Sequence, residues 1–188
     1  MPSGRLAPSP HLSRRVKAPV SWQAGMSRAG RRAADDHGRT LPRYGSQEEA
    51  ERALFAERDL LLDRLRSAAA ASPSFYCDFT PESLKALEHW YFDVRERRTS
   101  AKDGLSPETF ERCMAMYLGE VIVRNHAAFR WVVREFPFAP GTYEIGVDRG
   151  TLAVMLTRAG EVHTRPKNKK RESIWREYRR WVSPRGMS

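Results

Sequence analysis

Apolar residues recur at helical spacing in three successive stretches, switch to strict alternation, and return to helical spacing near the C-terminus. In the first stretch Ala50, Leu54, Leu61 and Leu65 share one face, and Ser46-Gln47-Glu48-Glu49 supplies a capping hydroxyl followed three residues later by a Glu. The spacing predicts a helix from Ser46 to about Ala70. Thr80-Pro81-Glu82 opens a second helix with Leu84, Leu87, Tyr91 and Val94 on one face, widened by Trp90 and Phe92. Ser106-Pro107-Glu108 repeats that grammar for a third, whose stripe is Phe110, Met114, Tyr117 and Val121. Asn125 and His126 end it.

The period then becomes two. Phe129, Trp131 and Val133 alternate with Arg130, Val132 and Arg134; Tyr143, Ile145 and Val147 with Thr142, Glu144 and Gly146; Leu152, Val154 and Leu156 with Ala153, Met155 and Thr157. Asp148-Arg149-Gly150 is a hairpin signal with Gly placed for a left-handed residue. A short fourth strand is expected near Val162 to Thr164. After Pro166 a last helix, about Lys169 to Val182, places Ile174, Trp175, Tyr178, Trp181 and Val182 on one side among basic residues. The expected fold is α+β: three N-terminal helices, a three- or four-stranded antiparallel meander, and a basic, aromatic C-terminal helix. Residues 46–188 form its single domain.

Ahead of it, residues 1–45 scatter their apolar positions without period and are expected to be a disordered basic tail. Charge sharpens this division. The whole chain of 188 residues carries +10, but residues 1–45 account for +7, residues 46–162 for −4 and residues 163–188 for +7. The folded middle is therefore mildly acidic between basic ends. The tail reads as functionless, as a targeting segment or as a polyanion-binding arm. The 27 Arg against 6 Lys of the whole chain are also what a GC-rich genome gives, where open frames extend easily upstream; a start at Met26 would leave +6.

No stretch approaches the ~18 to 20 apolar residues of a membrane span, the longest uncharged small or apolar run being Ser67 to Tyr76. No membrane association is expected. Two cysteines, Cys77 and Cys113, make neither a disulfide framework nor a zinc ribbon, and a reducing cytoplasm fits best. The histidines, at 11, 37, 89, 126 and 163, form no H-x-x-x-H pair, so metal ligation would have to be assembled through space. His89 and Asp93 at i, i+4 have the spacing of an oriented base, or of a surface hydrogen bond. No glycine-rich phosphate loop occurs, and no cofactor is expected.

Two groups of residues remain. Gly119 lies inside the third helix, where it costs about 1 kcal/mol relative to Ala, so a close approach is expected there. Beside it, Glu120 has Arg124 as its i+4 partner, which suits an ion pair or a partner contact better than proton transfer. The second group is electrostatic: Arg165, Lys167, Lys169, Lys170 and Arg171 precede Trp175, Tyr178 and Arg179. Such cations neutralise phosphates while interleaved aromatics stack on bases, unless the aromatics are the buried face that docks this helix on the sheet.

The run Tyr117-Leu118-Gly119-Glu120, continuing to Arg124-Asn125 and followed by a strand centred on Trp131, resembles a broad group of uncharacterised bacterial small α+β domains in which a Tyr-Leu-Gly-Glu helix leads into a Trp-bearing strand. The resemblance covers about residues 80 to 165. It implies that Gly119, Glu120, Asn125 and Trp131 form a framework where helix packs on sheet. The functional expectation is a non-enzymatic domain, of accessory or immunity type, that binds a protein partner. Its alternative is a nucleic-acid-binding module built on residues 163 to 182.

Overall fold

The computed structural model describes residues 27–96, 105–150, 152–157, 159 and 172–183. Among these, five helices accompany one three-stranded antiparallel sheet. The α+β class is as expected, with one helix more than the sequence pattern predicts.

That helix is α1, Arg28–Thr40, capped by the Ser27 hydroxyl, which accepts from the Gly30 N–H at 3.1 Å. Residues 28–40 were expected to be part of the unstructured tail, and the physical reason for the difference is visible. The face of α1 turned to the body is Gly30, Ala34, His37 and Gly38, which keeps helical spacing but has no large apolar residue to reveal it. Gly38 lets the helix sit on Ala139 and Phe136, whose side chains would meet any added Cβ. The following residues are tied as well: Tyr143 N–H donates to the Pro42 carbonyl at 3.1 Å, and Tyr44 N–H to that of Gly141 at 3.1 Å. Residues 1–26 of the expected tail lie outside the described residues.

Helix α2, Gln47–Ala70, starts as expected, with the Ser46 hydroxyl accepting from Glu49 N–H at 3.1 Å. The Glu49 carboxylate reaches one residue further back than a capping box requires, to Gly45 N–H at 2.9 Å. Ala50, Leu54, Leu61 and Leu65 are buried. Helix α3, Ser83–Glu96, begins three residues after the expected Thr80 cap. Thr80 to Glu82 instead make i→i+3 bonds to Ser83, Leu84 and Lys85, a tighter turn that delivers the chain into the helix.

Helix α4, Pro107–Asn125, has Ser106 as its cap and Pro107 in its first turn. It is buried on nearly all sides from Phe110 to Ile122, because α2, α3, the C-terminal helix and the sheet surround it. It is the axis of the domain. The sheet consists of β1, Arg130–Glu135, β2, Tyr143–Arg149, and β3, Leu152–Met155, in the order β1-β2-β3. Trp131 pairs with Val147 and Arg134 with Glu144; Arg149 pairs with Leu152 across a turn in which Gly150 is left-handed, φ +66°. Because β2 is central, it is buried along both faces, Glu144, Gly146 and Asp148 included. The fourth strand expected near 162–164 lies outside the described residues.

Helix α5, Ser173–Val182, closes the fold. It packs on α3 and α4 rather than on the sheet as its aromatic stripe suggested. The stretch 163–171, including the start expected for this helix at Lys169, lies outside the described residues.

Candidate functional site

The C-terminal half of α4 organises a surface that combines a left-handed phenylalanine with the most exposed aromatic ring among the described residues. Gly119 is the contact point with the sheet: a Cβ there would stand 2.8 Å from Trp131 Cζ2 and 2.5 Å from Leu156 Cδ1. The indole edge therefore lies directly on the helix backbone. One residue on, the Glu120 carboxylate is shared. Its Oε2 accepts the Trp131 indole N–H at 3.1 Å and its Oε1 accepts Arg124 Nε at 2.7 Å. Arg58 of α2 covers the indole, its guanidinium 5.2 Å from the ring centre.

Arg124 extends this chain to Phe79, with its guanidinium carbon 3.9 Å from the centre of that ring. Arg66 of α2 reaches the same ring at 5.2 Å, and Tyr117 stacks on it at 4.9 Å. Phe79 has φ +59°, a left-handed conformation that a bulky residue adopts only when its surroundings enforce it. The enforcement is on both sides of the residue. Its N–H donates to the Tyr117 hydroxyl at 2.9 Å, and its carbonyl accepts from the Asn125 side-chain amide at 2.9 Å, which also donates to the Val121 carbonyl. The Ser83 hydroxyl donates to the Thr80 carbonyl at 2.7 Å, which leaves Tyr117 as donor to Ser83, also at 2.7 Å. Burial pushes the Tyr117 hydroxyl well above the ordinary phenol range.

Residues 72–80 are thus anchored at Phe79 and at Phe75, which is buried against Trp90 and Tyr117. Between those anchors Tyr76 is 83% exposed, more than any other large apolar or aromatic side chain described. Its neighbour Cys77 is half-buried. Burial raises the pKa of its thiol in spite of the nearby Arg66 and Arg124 charges and a hydrogen bond with Tyr117. Of the five residues singled out on the Tyr-Leu-Gly-Glu helix and its strand, Arg124 and Asn125 contact this loop at Phe79, Glu120 links Arg124 to Trp131, and Gly119 seats the Trp. The sequence did not mark Phe79 or Tyr76, since nothing in a Phe predicts a left-handed residue.

A second polar constellation lies on the face of the sheet turned away from α4. Asp148 is buried and accepts from Arg130 Nε at 3.0 Å and from Arg134 Nη2 at 2.7 Å. On the same face Glu144 bonds His37 of α1 at 2.7 Å. Polar residues at alternate positions of the strand between Pro140-Gly141 and Gly150 were a legible signal; the pairing with α1 was not.

On α5, Tyr178 is buried and its hydroxyl bonds His126 at 2.8 Å, while Trp175 stacks on Tyr178 with Lys85 above it. Burial, then Arg149, lowers the His126 pKa. Arg179 is exposed. Arg165, Lys167, Lys169, Lys170 and Arg171 lie outside the described residues. The N-terminus of α5 is held from another helix: Glu88, fully buried, accepts from Ser173 N–H and hydroxyl, each at 2.9 Å, and from Ile174 N–H at 3.2 Å. Burial raises its pKa against these bonds.

His89 and Asp93 are both exposed on α3. Cys113 is buried and its thiol is pushed up to about 11 by that burial, so it stays protonated at neutral pH. Among the described residues no three His, Cys, Asp or Glu side chains converge as metal ligands, and no helix is long and apolar enough to cross a membrane.

These features define a class: a small α+β protein in which a buried axial helix tethers a surface loop on one side and packs on a three-stranded sheet on the other. More narrowly, the chain belongs to the family described as Uncharacterised protein YwmA, whose model matches residues 43–182, from just after α1 to the end of α5. It is similar to the uncharacterized protein YwmA of Bacillus subtilis (strain 168), 34% identical over 71 residues, which is 38% of this chain. The matched region spans 45% of that relative's length. No solved structure matches.

Proposed function

We propose that this protein is a non-enzymatic interaction domain, cytoplasmic and of accessory type, that captures a protein partner with the loop of residues 72–80. The observation that carries the proposal is the 83% exposed Tyr76 on a loop fixed at Phe79. An exposed Tyr on a mobile loop loses entropy on binding, whereas one on a loop already pinned binds without that loss. Tyr and Arg are also the side chains that dominate protein interfaces, and Arg66 and Arg124 flank this loop over the Phe79 ring. Ion pairs to Asp63 and Glu120 hold both arginines in place.

The nucleic-acid alternative relies on aromatics of the last helix stacking on bases. Tyr178 would first have to leave its buried position and its bond to His126, and the interaction reading requires no such rearrangement. The test is affinity purification from the native host with the full chain and with Tyr76→Ala, both checked for equal thermal stability. A stoichiometric partner retained by the first and lost by the second is the expected result. A partner retained equally by both, or a full chain that elutes alone under several conditions, overturns the proposal.

A further inference from the structure

The outward face of the sheet carries more positive charge on β1 than its buried acid requires. Strand alternation turns Arg130, Val132 and Arg134 to this face, and the register sets Arg130 opposite Asp148 and Arg134 opposite Glu144. Asp148 has 2% of its surface exposed, and one arginine would suffice to neutralise it. It has two, one on each oxygen. The Glu144 carboxylate facing Arg134 is taken by His37. Each guanidinium spends one N–H on Asp148 and has no other hydrogen-bond partner among the described residues, while the Arg130 and Arg134 side chains are 76% and 47% exposed. A buried carboxylate that fixes two exposed guanidiniums four residues apart on one strand is how a protein orients forks toward an incoming anion. Its entropy of ordering is settled on folding and not on binding.

We propose that Arg130 and Arg134, positioned by Asp148, form a binding site for an oxyanion, the phosphate or carboxylate group of a ligand. The site is independent of the Tyr76 loop, which lies beyond α4 on the other side of the sheet.

The test is titration of the full chain with inorganic phosphate and, separately, with acetate at constant ionic strength, following the Nε–H signals of Arg130 and Arg134 by NMR. Saturable shifts of these two signals are expected. A response to phosphate alone identifies a phosphate group, and a response to acetate alone or to both identifies a carboxylate-sized site. Arg130→Lys and Arg134→Lys keep a cation beside Asp148 but lose the planar fork, and each is expected to weaken binding about tenfold. If either Lys variant is unfolded, Val132→Glu provides the readout, since a carboxylate tethered between the two arginines occupies the site and abolishes the saturable shift. Linear shifts spread over all arginines, affinity unchanged in the folded Lys variants, or saturable binding that survives in Val132→Glu, overturns the proposal.

Discussion

Replacing Gly119 by Ala separates two opposing effects whose signs differ. In a helix interior the change lowers the backbone entropy lost on folding and is worth about 1 kcal/mol in favour of Ala. Against this, the new methyl group would stand 2.8 Å from Trp131 Cζ2 and 2.5 Å from Leu156 Cδ1, closer than carbon atoms approach, so the indole must move. Leu156 is fully buried, and its far methyl has little room to yield. Overpacking of this kind costs about 1 to 3 kcal/mol. Displacing the ring also breaks the bond between Trp131 and Glu120, a hydrogen bond to a charged group worth about 1.5 to 3 kcal/mol. The clash and the lost bond outweigh the propensity gain, and a net destabilisation of about 2 to 4 kcal/mol is expected. Urea unfolding followed by tryptophan fluorescence measures it. A double-mutant cycle with Trp131→Ala checks the cause: with the ring removed, Gly119→Ala should cost at least 1 kcal/mol less than in the parent chain. A Gly119→Ala protein as stable as the parent, or more so, would refute the close approach on which the site rests.

Glu88 gives a pH-dependent prediction. Its carboxyl is raised by burial in the folded chain, so its contribution to stability is full below the ordinary carboxylate pKa and declines as pH rises through the raised value. Urea midpoints measured from about pH 4 to about pH 8 should show that decline, and Glu88→Gln should flatten it. Glu88→Ala leaves three donors at the start of α5 without their acceptor and is expected to cost about 2 to 4 kcal/mol by urea unfolding. For the two thiols, half-buried Cys77 should react with a disulfide reagent in the native protein long before Cys113, whose pKa of about 11 and burial protect it. Equal native labelling rates, read by mass spectrometry of peptides, would contradict the packing of α4.

What the sequence reveals is set by how local each determinant is. Ser46 and Ser106 announce their helices because a cap acts over three residues, and Leu54, Leu61, Leu65, Phe110 and Met114 announce buried faces because they are large and periodic. Gly119 was legible as an anomaly, a costly residue in an otherwise apolar helix. Helix α1 was not, since Gly30, Ala34 and Gly38 pack through being small. The Phe79 conformation is imposed by Tyr117 and Asn125, 38 and 46 residues further along the chain, and Glu88 caps a helix 85 residues away. Such constraints have no pattern in one sequence. Only closure of the fold creates them.

The long-range constraints share a chemistry. Glu88, Glu111 and Asp148 are all buried, and each is bonded to a residue on another element: Glu88 to Ser173, Glu111 to Tyr91, Asp148 to Arg130 and Arg134. A buried carboxylate gains little net stability over an apolar residue of like size, because desolvation offsets its bonds. Removing its partners, however, leaves an uncompensated charge, so misplaced arrangements are penalised far more than the correct one is favoured. Apolar surface between α3, α4 and α5 would tolerate sliding of one helix turn, but the Glu88 oxygens meet three donors only when Ser173 begins α5. The same logic holds at the half-buried Glu120, whose two oxygens accept from Arg124 and Trp131 together. Apolar packing makes this chain compact, and its buried or half-buried acids decide the register in which α5, the Phe79 loop and the arginine-bearing strand are presented.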